Sequence, residues 1–176
     1  MHLLLIVFFV VIAPVIAGAY GAVYDMIVYT FAPDFFIDYR FQQFEIGEKI
    51  TPIVGAAIIG FTNSWKVGIP IGLILGGLTY LHKNIQKTFR YMIISYSIII
   101  ATSLISSCLA LVSMQDQLNG TVYSGASSHL NHTVKVILNM NNYAYTGSLI
   151  GTILAIVFHL IMIYKSSVKT DTSSHS

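Results

Sequence analysis

The sequence predicts an all-α integral membrane protein, a four-helix bundle with an additional amphipathic surface helix between spans 1 and 2. Three observations carry this. Of 176 residues, 55% are apolar and only 9% charged, with a mean hydropathy of +0.74, where soluble domains carry about 25% charged residues. Nine basic and seven acidic side chains, grouped in a few stretches, cannot build the polar shell that a water-soluble fold of this length requires. Four apolar runs each reach the roughly 20 helical residues needed to cross a hydrocarbon core.

The first span runs from Leu3 to Tyr24 without a charge. Its start resembles a secretory signal with Ala17, Gly18 and Ala19 as a cleavage site, but Met1 and His2 supply no firmly basic leader, so an uncleaved anchor is expected. From Asp25 to Thr51 charges return, mostly acidic, and the segment reads as aqueous or interfacial. Pro33 and Asp34 suit a helix start, because proline fits the first turn and a carboxylate there meets the positive end of the helix dipole. On a helix from Pro33 to about Lys49, Asp38, Gln42, Glu45 and Lys49 share one stripe, and Phe35, Ile37, Tyr39, Phe41, Phe44 and Ile46 occupy much of the rest.

Pro52 to Leu81 is longer than one crossing needs, and Asn63, Ser64, Trp65 and Lys66 interrupt it. Two forms fit: one long helix with Trp65 and Lys66 at the outer membrane boundary, or a helix broken at 63–66. Tyr91–Met114 and Tyr143–Tyr164 are the third and fourth spans, and 165–176 is a polar tail. Lys83, Lys87 and Arg90 between spans two and three, and Lys165 and Lys169 after span four, place both termini in the cytoplasm of a cell (inner) membrane. The acidic first loop and the loop Gln115–Asn142 then face outward.

Each span also carries small residues at four-residue intervals: Ala13, Ala17, Gly21; Gly68, Gly72, Gly76; Thr102, Ser106, Ala110; Gly147, Gly151, Ala155. Such ridges allow the close backbone approach that drives helix association in lipid. The single cysteine, Cys108, excludes an intramolecular disulfide and reads as a packing residue.

The run Gly21-Ala-Val-Tyr-Asp-Met-Ile-Val-Tyr-Thr-Phe-Ala-Pro-Asp-Phe-Phe, continuing to Tyr39-Arg-Phe-Gln-Gln-Phe44, resembles a family of uncharacterised small bacterial multi-pass membrane proteins. That family has a His-Asp-Gln, Tyr-Thr-x-Ser-Pro-Glu-Tyr-Phe pattern after its first helix. A second block, Gly55-Ala-Ala-Ile-Ile-Gly60 through Trp65 to Gly68-Ile-Pro-Ile-Gly72, is similar to the family's next segment. Tyr24, Met26 and Ala32 depart from the pattern, standing where the family has His, Gln and Ser. The resemblance implies the topology and a bacterial setting, and names no activity.

The candidate polar pocket gathers Asp25, Tyr29, Arg40, Asn63, Trp65 and Lys66 at the outer side, with Lys66 pairing Asp25, Asp34 or Asp38. A boundary charge for Asp25 and a snorkelling anchor for Lys66 are the plainer alternatives. His159 is the candidate intramembrane ionisable group, against an interfacial position near the inner face. His129 and His132 are spaced for one helical turn but lack a third ligand, so no metal and no cofactor is expected. Asn119-Gly-Thr and Asn131-His-Thr match the glycosylation sequon and read as chance matches in a bacterium.

No nucleophile has a visible base and no carboxylate pair flanks a cleft, so an enzyme is the least supported class. The small net charge of +2 leaves nucleic acid out. The expected partners are the lipid bilayer and a second copy or another membrane protein. The leading expectation is a membrane partner or scaffold contacting others through the Pro33 helix and the outer loop. The alternative is a small-solute or ion transport protein using Asp25, Asn63 and Lys66.

Overall fold

Every apolar run is helical in the computed structural model, which describes the backbone of residues 2–82, 84–118 and 126–172 and the side chains of 3–82, 84–112 and 134–165. In chain order the helices are α1 (His2–Phe31), α2 (Pro33–Phe35), a π turn (Phe36–Arg40), α3 (Phe41–Gln43), α4 (Pro52–Thr79), α5 (Ile85–Leu118) and α6 (Ala126–Thr172). Four of them hold apolar segments long enough to span a membrane: Leu3–Phe31, Pro52–Thr79, Ile85–Val112 and Val134–Lys165. The chain is an all-α, multi-pass membrane bundle.

Two boundaries differ from the sequence reading, and a third point that it left open is decided. α1 does not stop at Tyr24 but passes through Asp25 to Phe31, because Met26–Phe31 is again apolar and the one charge turns inward. α4 is continuous through Asn63–Lys66, so of the two expected forms the unbroken helix is the one adopted. α6 begins at Ala126, well inside the stretch expected as loop, and its 47 residues extend about 70 Å, longer than any bilayer crossing. Asn119 lies outside the described residues; Asn131, His129 and His132 fall on the first turns of α6, with side chains outside the described set.

The small-residue ridges set the packing. α1 and α4 lie antiparallel in close register: a Cβ built on Gly68 would stand 2.6 Å from the carbonyl oxygen of Ala13, and one on Gly72 would stand 2.8 Å from the Ala13 Cβ. A Cβ on Gly60 would collide with the backbone of Gly21. α5 and α6 repeat the arrangement, Gly147 facing Thr102 and Ser106, and Gly151 facing Thr102 and Ile99. Lipid supplies no hydrophobic drive between helices, so short-range dispersion across these bare backbones holds each pair together.

Between the two pairs the contacts are made by larger side chains. At one end Val28, Ala32, Phe35, Phe36, Ala56, Ile59 and Ile137 form an apolar cluster. Toward the other end Phe9, Leu75, Met92, Ile99 and Ala155 form a second.

The surface helix starts as expected, with Pro33 in its first turn, but ends at Gln43 rather than near Lys49. Glu45 takes a left-handed φ of 52°; its N–H donates to the Gln42 carbonyl and that of Ile46 to the Phe41 carbonyl at 2.9 Å. This is the Schellman arrangement, with glutamate at the position glycine normally fills, and Ile46 and Phe41 packed beside it supply its hydrophobic contact. The π turn brings both Phe35 and Phe36 inward. At the opposite end α4 tightens into successive bonds from Tyr80, Leu81 and His82 to carbonyls three residues back. The Asn84 side chain then caps α5 by accepting from the Lys87 N–H at 3.1 Å. This short link fixes His82.

Two outcomes test the packing. Gly68→Ala should destabilise the bundle by about 1–3 kcal/mol, since the methyl meets backbone that cannot rotate away, whereas Gly77→Ala, with open space around it, should be neutral; thermal melts in detergent read both. Glu45→Gly should raise the melting point, by the equivalent of about 1 kcal/mol, because it removes the left-handed penalty.

Candidate functional site

A crevice lies between the two helix pairs, bounded by the two apolar clusters, with a water-accessible volume of about 90 Å³. Such a volume is room for about three waters at liquid density. All four long helices line it. Ala13, Ala17, Gly21 and Gly68 leave the space, and Tyr20, Tyr24, Asp25, Asn63, Tyr96, Asn141, Tyr145 and Ser148 supply polar groups.

Asp25 is the chemical centre of this crevice. It is 6% exposed, and among the described residues no hydrogen bond or ion pair meets its carboxylate. A carboxylate at the centre of a membrane-inserted helix costs about 2.5–3.5 kcal/mol, and facing a water-accessible crevice lowers that cost. The nearest compensating charge is Arg40, close enough for the two to interact but not in ion-pair contact. Arg40 is held in the surface helix, its guanidinium 5.7 Å from the Phe35 ring centre and 5.5 Å from that of Phe44, with Nη1 donating to Gln43 at 3.1 Å. Its buried Nε has no partner among the described residues.

The tyrosines tie the helix pairs together around the crevice. Ser103 donates to the Ala144 carbonyl at 2.9 Å, so the Tyr20 hydroxyl, 3.0 Å from Ser103 Oγ, donates to it. One turn on, Tyr24 and Ser107 hydroxyls lie 2.6 Å apart. On the far wall Tyr96 donates to the Phe9 carbonyl at 3.3 Å.

Of the six residues expected to form one polar pocket, the structure brings Asp25 and Asn63 to the crevice and Arg40 near it. Tyr29 belongs instead to the aromatic cluster, 5.7 Å from Phe36 and 6.3 Å from Phe41 between ring centres. Trp65 and Lys66 are exposed on the outer side of α4. Lys66 stands two residues from both Ser64 and Gly68, about 200° round the helix from the ridge that faces α1. It therefore pairs with none of Asp25, Asp34 and Asp38.

His159 is turned into the bundle rather than outward. It is fully buried (0% exposed), and its Nδ1 lies 2.9 Å from Nε2 of His82, itself 6% exposed. Tyr91 and Phe158 pack around the pair, Tyr91 with its ring centre 5.3 Å from that of His82 and Phe158 5.9 Å from that of His159. His159 Nε2 is buried and unpartnered among the described residues. Sequence reasoning missed His82, which follows no helical pattern, and the Tyr20–Ser103 and Tyr24–Ser107 pairs. Asp25 and His159 did carry a signal: Asp25 continues the ridge Ala13, Ala17, Gly21 by one more step of four, and His159 continues Gly147, Gly151, Ala155 in the same way.

Burial pulls His82 below the ordinary histidine value of 6.5, because its charged form loses hydration. With the folded value depressed, the unfolded chain takes up the proton first, so folding stability falls as pH drops below that value. Detergent melts taken from about pH 7 to about pH 5 should show a declining midpoint, and His82→Gln should flatten the decline even if it lowers the midpoint at neutral pH.

No family model, curated protein or solved structure matches this chain.

Proposed function

We propose that the chain is a non-enzymatic transport protein that binds a small monovalent cation in the crevice, with Asp25 as the counter-charge. The observation that carries this reading is the buried carboxylate of Asp25, without an ion pair, facing a cavity of about 90 Å³ lined by four tyrosines. Intramembrane carboxylates of this kind mark ion and solute pathways, and tyrosine faces attract cations. Asn63, Asn141 and Ser148 offer carbonyl and hydroxyl oxygens to a partly desolvated ion. The basic end, carrying Lys87, Arg90 and Lys165, faces the cytoplasm by the positive-inside rule. The family resemblance of the Gly21–Phe44 and Gly55–Gly72 blocks would make that bilayer the inner membrane of a bacterial cell.

A second reading, a membrane partner or scaffold, is supported by Lys66. It is an exposed cation halfway along α4 beside Trp65, where lipid contact costs about 2.5–3.5 kcal/mol and a protein partner would relieve it. The Pro33 helix contributes less to this reading than its aromatic content promised, since Phe35 and Phe36 face the bundle and Phe41 and Phe44 pack against its apolar cluster.

Tetramethylammonium is a suitable probe, being small, monovalent and without a dissociable proton. Uptake of the labelled ion into proteoliposomes should fall at least about tenfold on Asp25→Asn (1.4 kcal/mol or more), while Lys66→Gln leaves it unchanged. Removal of the unpaired charge should also leave the melting point equal or higher, separating loss of binding from loss of fold. Uptake no faster than in empty liposomes, or equal uptake by Asp25→Asn, would reject the assignment.

A further inference from the structure

We propose that the bundle interior also carries protons, along a relay from the crevice to the His82–His159 pair at the basic end. The inference rests on the crevice reading only for the point of entry.

The relay follows two helix stripes. On α6, Ser148 lines the crevice, Thr152 follows one turn on and is buried, and His159 lies two turns further; the Ser148 and Thr152 hydroxyls donate to the Tyr145 and Ser148 carbonyls at 2.7 and 2.8 Å and turn from them to pass a proton on. On α5, Ser95 is fully buried and its hydroxyl has no partner among the described residues. The α5–α6 register set by Gly147 against Thr102 and Ser106, and by Gly151 against Ile99 and Thr102, places Ser95 at the level of residues 155–156. It therefore stands between Thr152 and His159. At 1.5 Å per residue, the successive steps Ser148, Thr152, Ser95, His159 each rise about 5–6 Å along the bundle, and bridging waters would complete the file between them.

Two polar atoms along this line, Ser95 Oγ and His159 Nε2, are buried without a partner. Each such atom costs about 1–3 kcal/mol if nothing meets it. Two in series, between a crevice and a histidine pair, are accounted for together by a hydrogen-bonded file of water.

The histidine geometry suits transfer rather than storage. In an imidazole the two nitrogens lie on opposite sides of the ring, so His159 presents Nδ1 to His82 and Nε2 away from it. In the tautomer where His159 Nδ1–H donates to His82 Nε2, the free lone pair on His159 Nε2 accepts a proton from the file. His159 Nδ1–H then passes its proton to His82 Nε2, and His82 Nδ1–H releases one to water at the basic end. One proton enters and one leaves, both rings end neutral, and both reset by exchanging tautomers. The groups facing the pair are Tyr91 and Phe158, and among the described residues no carboxylate or ammonium group acts on His82.

Potential-driven proton uptake tests this directly. Proteoliposomes carrying a trapped pH dye and a potassium–valinomycin potential should acidify faster than empty ones. Ser95→Ala and His159→Gln should each slow acidification at least about tenfold, with Ser97→Ala, an exposed neighbour, unaffected. Ser95→Ala removes one oxygen and should melt within a few degrees of the parent, which keeps the test open if His159→Gln fails to fold. Acidification at the rate of empty liposomes, or equal rates in folded Ser95→Ala, overturns the relay. Tetramethylammonium uptake is scored separately: uptake without proton flux removes the relay and leaves the crevice assignment, and proton flux without uptake does the reverse.

Discussion

The structure depends on the direct approach of helix backbones, α1 on α4 and α5 on α6, through side chains too small to hold them apart. Dispersion falls off steeply with distance, and in lipid it is the main attraction available between apolar helices. Each pair is therefore tight where glycine, alanine, serine and threonine face one another. Where the pairs meet, tyrosines and phenylalanines keep the backbones apart. The crevice is the space that this difference in side-chain size leaves, and it lies midway because the bulky apolar clusters close the interface at both ends.

Magnitudes indicate that the crevice is not there for stability. Hydrogen bonds between membrane helices average about 0.6 kcal/mol each, so the three tyrosine bonds bridging the pairs contribute roughly 2 kcal/mol together. A buried unpaired carboxylate costs about 2.5–3.5 kcal/mol. Even partly relieved by the crevice and by Arg40, a charge of that cost offsets much of what the bonds around it supply. That imbalance is the energetic ground on which the proposed cation site at Asp25 rests.

The number and character of the spans were legible, because twenty-odd uncharged residues in a row admit few other solutions. So were the ridges, whose four-residue spacing appears in the contacts between Gly68 and Ala13 and between Gly147 and Thr102. Hydropathy failed at Asp25. A running average registers a charge but not the direction it faces, and it ended the first span seven residues early. The same blindness grouped Lys66 with Asp25, although the two point to opposite sides of the α1–α4 contact. His82 was invisible for a different reason: its position comes from the tight turn after Thr79 and the cap at Asn84, and its meaning from a partner 77 residues away. The early end of the surface helix was equally hidden, since a glutamate at a left-handed C-terminal position gives no compositional warning.

Among the described residues, the buried carboxylate and the buried imidazole of the long helices, Asp25 and His159, both occupy positions in the small-residue ridges, and this links packing to chemistry more closely than proximity alone would. A helix stripe that faces another helix is the one place where a polar side chain escapes lipid, so once a ridge has been committed to a contact, its next position is also the cheapest site for a carboxylate or an imidazole. The contact then fixes that group's geometry. A Cβ on Gly60 would stand 2.9 Å from the Asp25 Cβ as well as striking Gly21. The missing side chain that seats α4 on α1 is therefore also what lets Asp25 turn into the crevice, and any residue that loosened the pair would carry the carboxylate away with it.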